Sequence, residues 1–291
     1  MIPKEVWRQV RRIQIRTGRA VTGLLAGAYR SAFKGRGMEF EDVREYQPGD
    51  EVRTIDWNVT ARMNSPFVKN FREERELSVM IIVDVSSSGQ YGSSGRKKRE
   101  LIAELGALLA LSAVRGGDKV GLVLFTDRVE LYLPPKKGTT HTLRLIRELL
   151  AYEPKGSGTD LKGALTFLAR VKRRRGVSFL ISDFIAPGAA KEVALIARRH
   201  DLTALCVSDP REFDFPDVGL VQIRDLETGL TRMIDTSREE VRARLKGRAL
   251  SRIEGTKALM DRVGAAFVHL RTDEDLLPVL HRAFRSKERR A

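Results

Sequence analysis

Residues 77–89, LSVMIIVDVSSSG, decide the fold of this chain. Their apolar run is rich in β-branched residues and too short for an ordinary helix, so it predicts a strand buried on both faces. After the run, polar side chains stand at alternate positions, namely Asp84, Ser86 and Ser88. The carboxyl ends of strands carry the ligand site in open α/β sheets. One carboxylate and two hydroxyls there suit a hard divalent cation such as Mg²⁺, although a strand followed by a Ser/Gly turn has the same pattern.

Short apolar runs alternate with amphipathic segments along the rest of the chain. The apolar runs predict further strands at 119–125, 129–133, 177–181, 202–207 and 265–270. Apolar residues at helical spacing predict helices at 96–114, 139–150, 160–174, 191–200, 238–263 and 273–284. Pro134-Pro135 is expected to end the strand at 129–133, and 220–234 to form a hairpin around Glu227-Thr228-Gly229. This alternation predicts an α/β fold with a doubly wound, mainly parallel, Rossmann-like sheet.

Composition limits the class of protein. The 291 residues are 42% hydrophobic and 31% charged, which predicts folded domains and excludes global disorder. The net charge of +15 indicates an acidic partner, whether a protein face, a nucleic acid or an anionic membrane surface. A single cysteine, Cys206, excludes an intramolecular disulfide and a cysteine-based zinc site. With no membrane-spanning apolar window and no clean signal-peptide core, the chain is expected to be cytoplasmic.

Pattern and composition divide the chain into four parts. Residues 1–18 predict an N-terminal amphipathic helix, with a lipid-surface or nucleic-acid helix as the alternative. Residues 19–75 combine turn signals with short strand-like pieces, which predicts a small β-rich N-terminal module. The α/β domain is expected at 76–286, followed by a frayed basic tail at 287–291.

Two later loops carry oxygen side chains toward the same predicted sheet edge. Thr159 lies at a helix start after the glycine loop of GSGTD, and Asp183 follows the strand at 177–181. If the three loops meet, they supply two carboxylates and three hydroxyls. Mg²⁺ requires near-octahedral oxygen coordination and usually keeps some waters. The sequence therefore predicts a site for Mg²⁺, or for Mn²⁺ or Ca²⁺, that leaves a position for a carboxylate from a protein partner.

The segments DVSSS, GSGTD and LISD, in this order, resemble the metal-ion-dependent adhesion site of von Willebrand factor type A domains. The resemblance implies that five residues contact the metal, and these are Asp84, Ser86, Ser88, Thr159 and Asp183. One departure is Phe184, where many members of that family have Gly.

A second resemblance covers residues 34–63, KGRGMEFEDVREYQPGDEVRTIDWNVTARM. This stretch resembles the signature of the bacterial domain of unknown function 58 family, whose members join it to a type A domain. The resemblance implies a partnership with a MoxR-type AAA+ ATPase in chaperone-like assembly or maturation of other proteins.

The expected function is a non-enzymatic, metal-dependent protein-binding module, whose partner supplies an acidic residue to the metal. One alternative is a magnesium-dependent, phosphatase-like enzyme in which Asp84 accepts a phosphoryl group. That class carries DxD at the first loop, and Ser86 replaces the expected second acid. The other alternative is a basic binder of nucleic acid or a membrane surface, but interleaved aromatics and a recognised motif are missing.

Overall fold

The computed structural model describes residues 25–33, 37–63, 65–74, 76–186 and 188–289. The chain forms two compact units, a small one at Lys34–Leu77 and a large one made of Met1–Phe33 and Ser78–Ala291. The predicted helix at 1–18 lies outside the described residues.

A six-stranded sheet forms the centre of the large unit. Its strands are β3 (Ser78–Asp84), β4 (Lys119–Phe125), β5 (Val129–Lys136), β6 (Val177–Ser182), β7 (Asp201–Ser208) and β10 (Ala266–Arg271). They lie side by side in the order β10-β7-β6-β3-β4-β5. All neighbouring pairs are parallel except β4 with β5, which is antiparallel. The predicted α/β class and the mainly parallel sheet are confirmed.

Helices connect the strands and flank the sheet. In the large unit they are α1 (Ala26–Ala32), α3 (Lys98–Arg115), α4 (Thr139–Ala151), α5 (Leu161–Val171), α6 (Ala190–Arg199), α7 (Glu239–Arg262) and α8 (Leu276–Glu288), whereas α2 (Trp57–Met63) lies in the small unit. On one face, Met80 and Ile82 of β3 pack in a core with side chains of α5, α6 and α7. On the other face, the rings of Phe33, directly after α1, and of Phe284 in α8 pack on Phe179 of β6. The central strands are therefore buried on both faces, as their unbroken apolar runs predict.

The chain reverses direction across the sheet between β3 and β6. From β3 the order runs outward through β4 and β5 on one side, and through β6, β7 and β10 on the other. Such a switch point opens a crevice beyond the carboxyl ends of its two strands. Asp84 ends β3 and Ser182 ends β6, so the polar side chains of both loops lie at this crevice.

The expectation that Pro134-Pro135 ends a strand is wrong, because β5 continues through both prolines to Lys136. The strand lies at the sheet edge, where a residue without an N–H is tolerated. The pairing shifts register there, from Leu122 opposite Leu133 to Val120 opposite Lys136, so both prolines lie in a bulge opposite Gly121. A Cβ on Gly121 would come within 2.8 Å of the Leu133 carbonyl oxygen, so the bulge requires glycine.

The boundary between the two units differs from the predicted module at 19–75. Helix α1 belongs to the large unit, where Tyr29 and Phe33 are almost fully buried. Both rings pack against Phe284 of α8, at centroid distances of 6.1 and 5.5 Å. This contact joins residues more than 250 positions apart, and no local pattern in the sequence indicates it.

The basic tail also differs from the prediction. Helix α8 continues to Glu288, and only residues 290–291 lie outside the described part of the chain. Lys287 pairs with Asp201 and lies over the Phe33 ring, 4.2 Å from its centroid. The start of the tail is therefore packed on the large unit.

The small unit contains a two-stranded antiparallel sheet, as its β-rich prediction requires. Strand β1 (Gly37–Glu45) pairs with β2 (Phe67–Glu74), and α2 lies between them in the chain. Arg44 donates two hydrogen bonds to Asp50, at 2.8 and 2.6 Å, which makes this pair of charges structural.

An antiparallel hairpin, formed by β8 (Leu220–Arg224) and β9 (Thr231–Asp235), follows β7 as a separate two-stranded sheet. The predicted turn is confirmed, with Gly229 at a φ of 74°. No helix within the described ranges is long and apolar enough to cross a membrane.

Candidate metal centre

Asp84 ends the central strand β3 and is only 4% exposed. Its Oδ1 accepts a hydrogen bond of 3.0 Å from the Ser86 backbone N–H. Its Oδ2 accepts one of 2.7 Å from the Ser182 hydroxyl, at the end of neighbouring β6. These two bonds hold the carboxylate in one orientation at the switch point.

Ser88 lies in a single turn of 3₁₀ helix, Ser87–Gln90, and Ser86 directly precedes that turn. The Ser86 and Ser88 hydroxyl oxygens lie 3.0 Å apart. Adjacent corners of a Mg²⁺ octahedron, with bonds of about 2.0–2.1 Å, are about 2.9 Å apart. The two hydroxyls are hydrogen-bonded to each other, and the same spacing is compatible with neighbouring ligands of such an ion.

Thr159 enters the site on the glycine loop before α5. Its hydroxyl oxygen lies 3.4 Å from Asp84 Oδ2 and 2.8 Å from Glu227 Oε1. The Ser157 carbonyl accepts a 3.0 Å bond from the Ser87 N–H, which joins this loop to the serine turn. A Cβ on Gly156 would come within 2.1 Å of Asp127 Oδ1 and 2.3 Å of the Thr126 hydroxyl oxygen, so a larger residue there would have to displace these two side chains.

Asp183 directly follows β6 and is also 4% exposed. The Lys98 ammonium donates a 2.8 Å hydrogen bond to its Oδ2, and a hydrogen bond with Ser88 also favours its charged form. The structure thus brings together all five residues that the sequence predicts, and their role as metal ligands stays a prediction.

The two aspartates differ in their readiness to ionise. Burial, and then the nearby charge of Asp183, raise the pKa of Asp84 to about 6. Burial acts on Asp183 in the same sense, but the Lys98 ammonium and its hydrogen bond outweigh burial and lower the pKa of that carboxyl. Asp183 is therefore the firmly charged member of the pair, and a divalent cation would favour ionised Asp84 as well.

Lys98 was not singled out from the sequence. It is 2% exposed in the first turn of α3, and its ammonium also lies 3.2 Å from Glu212. Glu212 in turn pairs with Arg252 of α7. The available signal was its spacing with Leu101 and Leu105, which puts Lys98 on the buried stripe of the helix. Ser182, at the last position of a buried strand, was also missed.

Phe184 follows Asp183 with a φ of 52°, in the left-handed region that non-glycine residues rarely adopt. Its N–H donates a 3.0 Å bond to the Ser182 hydroxyl, and the next N–H, of Ile185, donates a 3.3 Å bond to Asp183 Oδ1. The side chain is 8% exposed and packs in the core. Phe184 therefore has the positive φ that is typical of glycine, and it also places an aromatic ring in the core.

The donor set fits a hard divalent cation, because every donor is an oxygen and two are carboxylates. Across the described residues, no group of three or more His, Cys, Asp or Glu side chains could hold a metal. A metal at this edge must therefore rely on hydroxyl oxygens as well as on the two aspartates.

The comparison with protein families identifies the chain. The family described as "Protein of unknown function DUF58" matches residues 42–254, and the chain belongs to this family. A relative named "Uncharacterized protein Rv1480", from Mycobacterium tuberculosis, is 33% identical over 287 residues, which cover 97% of this chain and 90% of the relative. Bacillus subtilis "Uncharacterized protein YeaD" is 26% identical over 37% of this chain and 25% of its own length.

Solved structures with some similarity include one that is named as a VWA domain. A conserved hypothetical protein, BatB from Bacteroides thetaiotaomicron, is 16% identical with a TM-score of 0.45, over 74% of this chain and all of its own. The SpRpn10 VWA domain is 10% identical with a TM-score of 0.40, over 70% of this chain and 93% of its own. A mussel byssus matrix protein described with a "zinc occupied MIDAS motif" is 18% identical with a TM-score of 0.36, over 46% of this chain and 38% of its own. These scores are low, so the fold class rests on the sheet order.

Proposed function

We propose that this protein is a non-enzymatic protein-binding module that binds a divalent cation at the switch point, with Mg²⁺ as the preferred candidate. The observation that carries the proposal is the convergence of oxygen side chains from three loops, with the Ser86 and Ser88 hydroxyl oxygens 3.0 Å apart. The residues that would hold the ion are Asp84, Ser86, Ser88, Thr159 and Asp183. When bound, the ion would supply a positive centre that attracts a carboxylate from a partner.

The charges around the site support this assignment. Asp84 and Asp183 are both buried and repel each other, and Lys98 compensates chiefly Asp183. A divalent cation beside Asp84 would remove the remaining repulsion and stabilise its ionised form. Because three of the five donors are neutral hydroxyls, the ion would retain affinity for a further anion.

The surroundings support binding over turnover. Ser208 and His269 form a hydrogen bond of 2.7 Å, which resembles a nucleophile with its base. Ser208, however, is fully buried, so a substrate has no access to its hydroxyl. His141 contacts the Val120 carbonyl oxygen, at 2.9 Å, and is thereby occupied away from the site. The proposal therefore assigns no catalytic residue.

The partner we propose is a MoxR-type AAA+ ATPase or a client protein that it acts on. The support is the resemblance of residues 34–63 to the family signature and the acid-attracting net charge of +15. An acidic side chain of the partner would complete the ion's coordination, while the basic surface would accelerate encounter with an acidic face.

The test combines metal binding with partner binding for the full chain. Isothermal titration with Mg²⁺ and Mn²⁺ should detect one site, and Asp84→Asn should weaken it at least tenfold. Pull-down of a purified MoxR-type ATPase should need Mg²⁺, fail in chelator and fail with Asp84→Asn. Asp127→Asn is the matched control, because Asp127 lies on a neighbouring loop and pairs with Arg128 at the surface. Full-strength binding of the ATPase by Asp84→Asn and in chelator would contradict the proposal.

A further inference from the structure

The hairpin that follows β7 brings one of its own carboxylates to the candidate metal centre. Glu227, at the hairpin tip, accepts a 2.8 Å hydrogen bond from the Thr159 hydroxyl. The Ser157 hydroxyl also donates to the Glu227 carbonyl oxygen, at 3.4 Å. The tip therefore contacts the glycine loop through both the side chain and the backbone of one residue.

The turn is built to present Glu227. The Asp225 carboxylate accepts hydrogen bonds from the N–H groups of Glu227 and Thr228, at 2.9 and 3.3 Å. The Gly229 N–H bonds back to the Asp225 carbonyl at 2.9 Å, with Gly229 at a positive φ. Glu227 is half-buried between exposed Leu226 and Thr228. A pre-organised turn of this kind fixes the direction of its central side chain.

The base of the hairpin is anchored independently of the tip. Thr236 is fully buried, and its hydroxyl donates to the Gly219 carbonyl at 2.7 Å and accepts from the Val218 N–H at 3.1 Å. The intervening strands expose large apolar side chains, including Leu220, Leu230 and Met233. The base of the hairpin is thus held by contacts that do not involve the tip.

Thr159 now lies between two carboxylates, with Asp84 Oδ2 at 3.4 Å and Glu227 Oε1 at 2.8 Å from its hydroxyl oxygen. A hydroxyl has one proton and can satisfy one of them at a time. Two carboxylates that share a neutral group repel each other unless a cation offsets their charge. Glu227 therefore contacts the proposed metal centre directly, through the hydroxyl of one of its proposed ligands.

We propose that Glu227 is the chain's own acidic ligand for this site and that a protein partner binds by displacing the hairpin tip. The inference rests on the proposed function, since Glu227 takes the place assigned there to the partner's carboxylate. A tethered carboxylate competes at a high effective concentration, so it lowers the apparent affinity for every outside acid. If the tip is closed in about nine-tenths of the molecules, its loss raises that affinity about tenfold.

Hydrogen exchange of the full chain tests the inference without a partner. In wild type, Mg²⁺ should slow exchange of the amides at 226–230 about tenfold relative to chelator, since exchange follows the open fraction. Glu227→Gln should exchange rapidly with and without Mg²⁺, and acetate in excess at constant ionic strength should restore rapid exchange in wild type. The charge-matched control is Glu240→Gln, an exposed change in the first turn of α7, which should behave as wild type.

Calorimetry on the same samples separates the two proposals. If wild type binds Mg²⁺ or Mn²⁺ but its tip exchanges equally with and without the ion, the Glu227 inference is overturned and the metal site stands. The inference is overturned in the same way if Glu227→Gln retains the Mg²⁺-dependent slowing, or if acetate leaves the tip unchanged. If wild type binds neither ion, the proposed function fails and the inference fails with it.

Discussion

Single residues at the switch point combine two incompatible demands, a polar site and a buried position. Asp84 meets both demands because the Ser86 N–H and the Ser182 hydroxyl satisfy its oxygens. Asp183 meets them through the buried Lys98 ammonium. At Phe184 the backbone has a positive φ, and the N–H groups of Phe184 and Ile185 donate to Ser182 and Asp183. The Phe184 ring meanwhile packs in the core.

The left-handed backbone at Phe184 predicts that Phe184→Gly is more stable than Phe184→Ala, which is the reverse of the usual order for these two substitutions. Both Phe184→Ala and Phe184→Gly lose the buried ring, at a cost of about 3–5 kcal/mol. Glycine avoids the left-handed penalty of about 1–2 kcal/mol, so the Gly variant should be more stable than the Ala variant by roughly that amount. Urea unfolding measures the difference. Equal stability of the Ala and Gly variants would contradict the left-handed conformation of the backbone at Phe184.

At the scale of elements, helix α1 shows how a short segment becomes part of a distant core. It is too brief for its own pattern to carry a prediction, yet its Tyr29 hydroxyl donates a 2.9 Å bond to buried Asp118, which lies between α3 and β4. Strand β5 shows the converse case, because a strong local signal, two prolines, is overridden by an edge position and a bulge.

Removal of the Tyr29 hydroxyl should destabilise the protein although the residue lies far from the site. Tyr29→Phe keeps the ring contacts but loses a buried hydrogen bond to a carboxylate, which costs about 1.5–3 kcal/mol. The free energy of unfolding, from urea titration followed by far-UV circular dichroism, measures the loss. Tyr91→Phe, at an exposed tyrosine, is the control and should change stability by less than about 0.5 kcal/mol. Equal stability of the two variants would show that the hydrogen bond from Tyr29 to Asp118 does not stabilise the fold.

At the scale of the whole molecule, buried titratable groups make stability depend on pH. His200 is 2% exposed at the end of α6, and burial together with nearby Lys172 lowers its pKa to about 4 from the ordinary 6.5. The unfolded chain therefore takes up a proton between pH 6.5 and 4 that the folded chain does not. Its contribution to stability is fully present above pH 6.5 and is lost as pH falls through this window.

Comparison of wild type with His200→Leu isolates this contribution. Asp84, whose pKa is raised from 3.8 to about 6, acts in the opposite sense, since the folded state takes up the proton first and gains stability as pH falls from 6. In chelator, the loss of stability between pH 7 and 5 should be smaller for His200→Leu than for wild type, because Asp84 is unchanged in both. Urea unfolding at the two pH values checks this. A parallel loss in both proteins would exclude His200 as its source.

The net charge of +15 and the family membership describe the molecule as a whole without selecting a partner. The cytoplasmic location and the MoxR-type partner therefore stay predictions.

Local patterns in the sequence were sufficient by themselves to predict the central strand, the sheet and the residues of the site. An apolar run rich in β-branched residues predicted β3, and alternation of such runs with helical stripes predicted the sheet. Polar residues that follow strands predicted Asp84, Ser86, Ser88 and Asp183, and a glycine loop before a helix predicted Thr159. These inferences hold because parallel strands align their carboxyl ends at one edge. Residues that follow those ends are therefore brought together by topology alone.

Only the tertiary structure decided what surrounds these residues. Lys98 reaches Asp183 across 85 positions, Glu227 reaches Thr159 across 68, and α1 joins a core formed mostly by the far end of the chain. Such contacts depend on the packing of whole elements, which hydrophobic burial fixes without leaving a local signal at either partner. The sequence could thus predict the oxygens proposed to hold a cation, whereas the Lys98 ammonium beside Asp183 and the Glu227 carboxylate beside Thr159 depend on long-range packing.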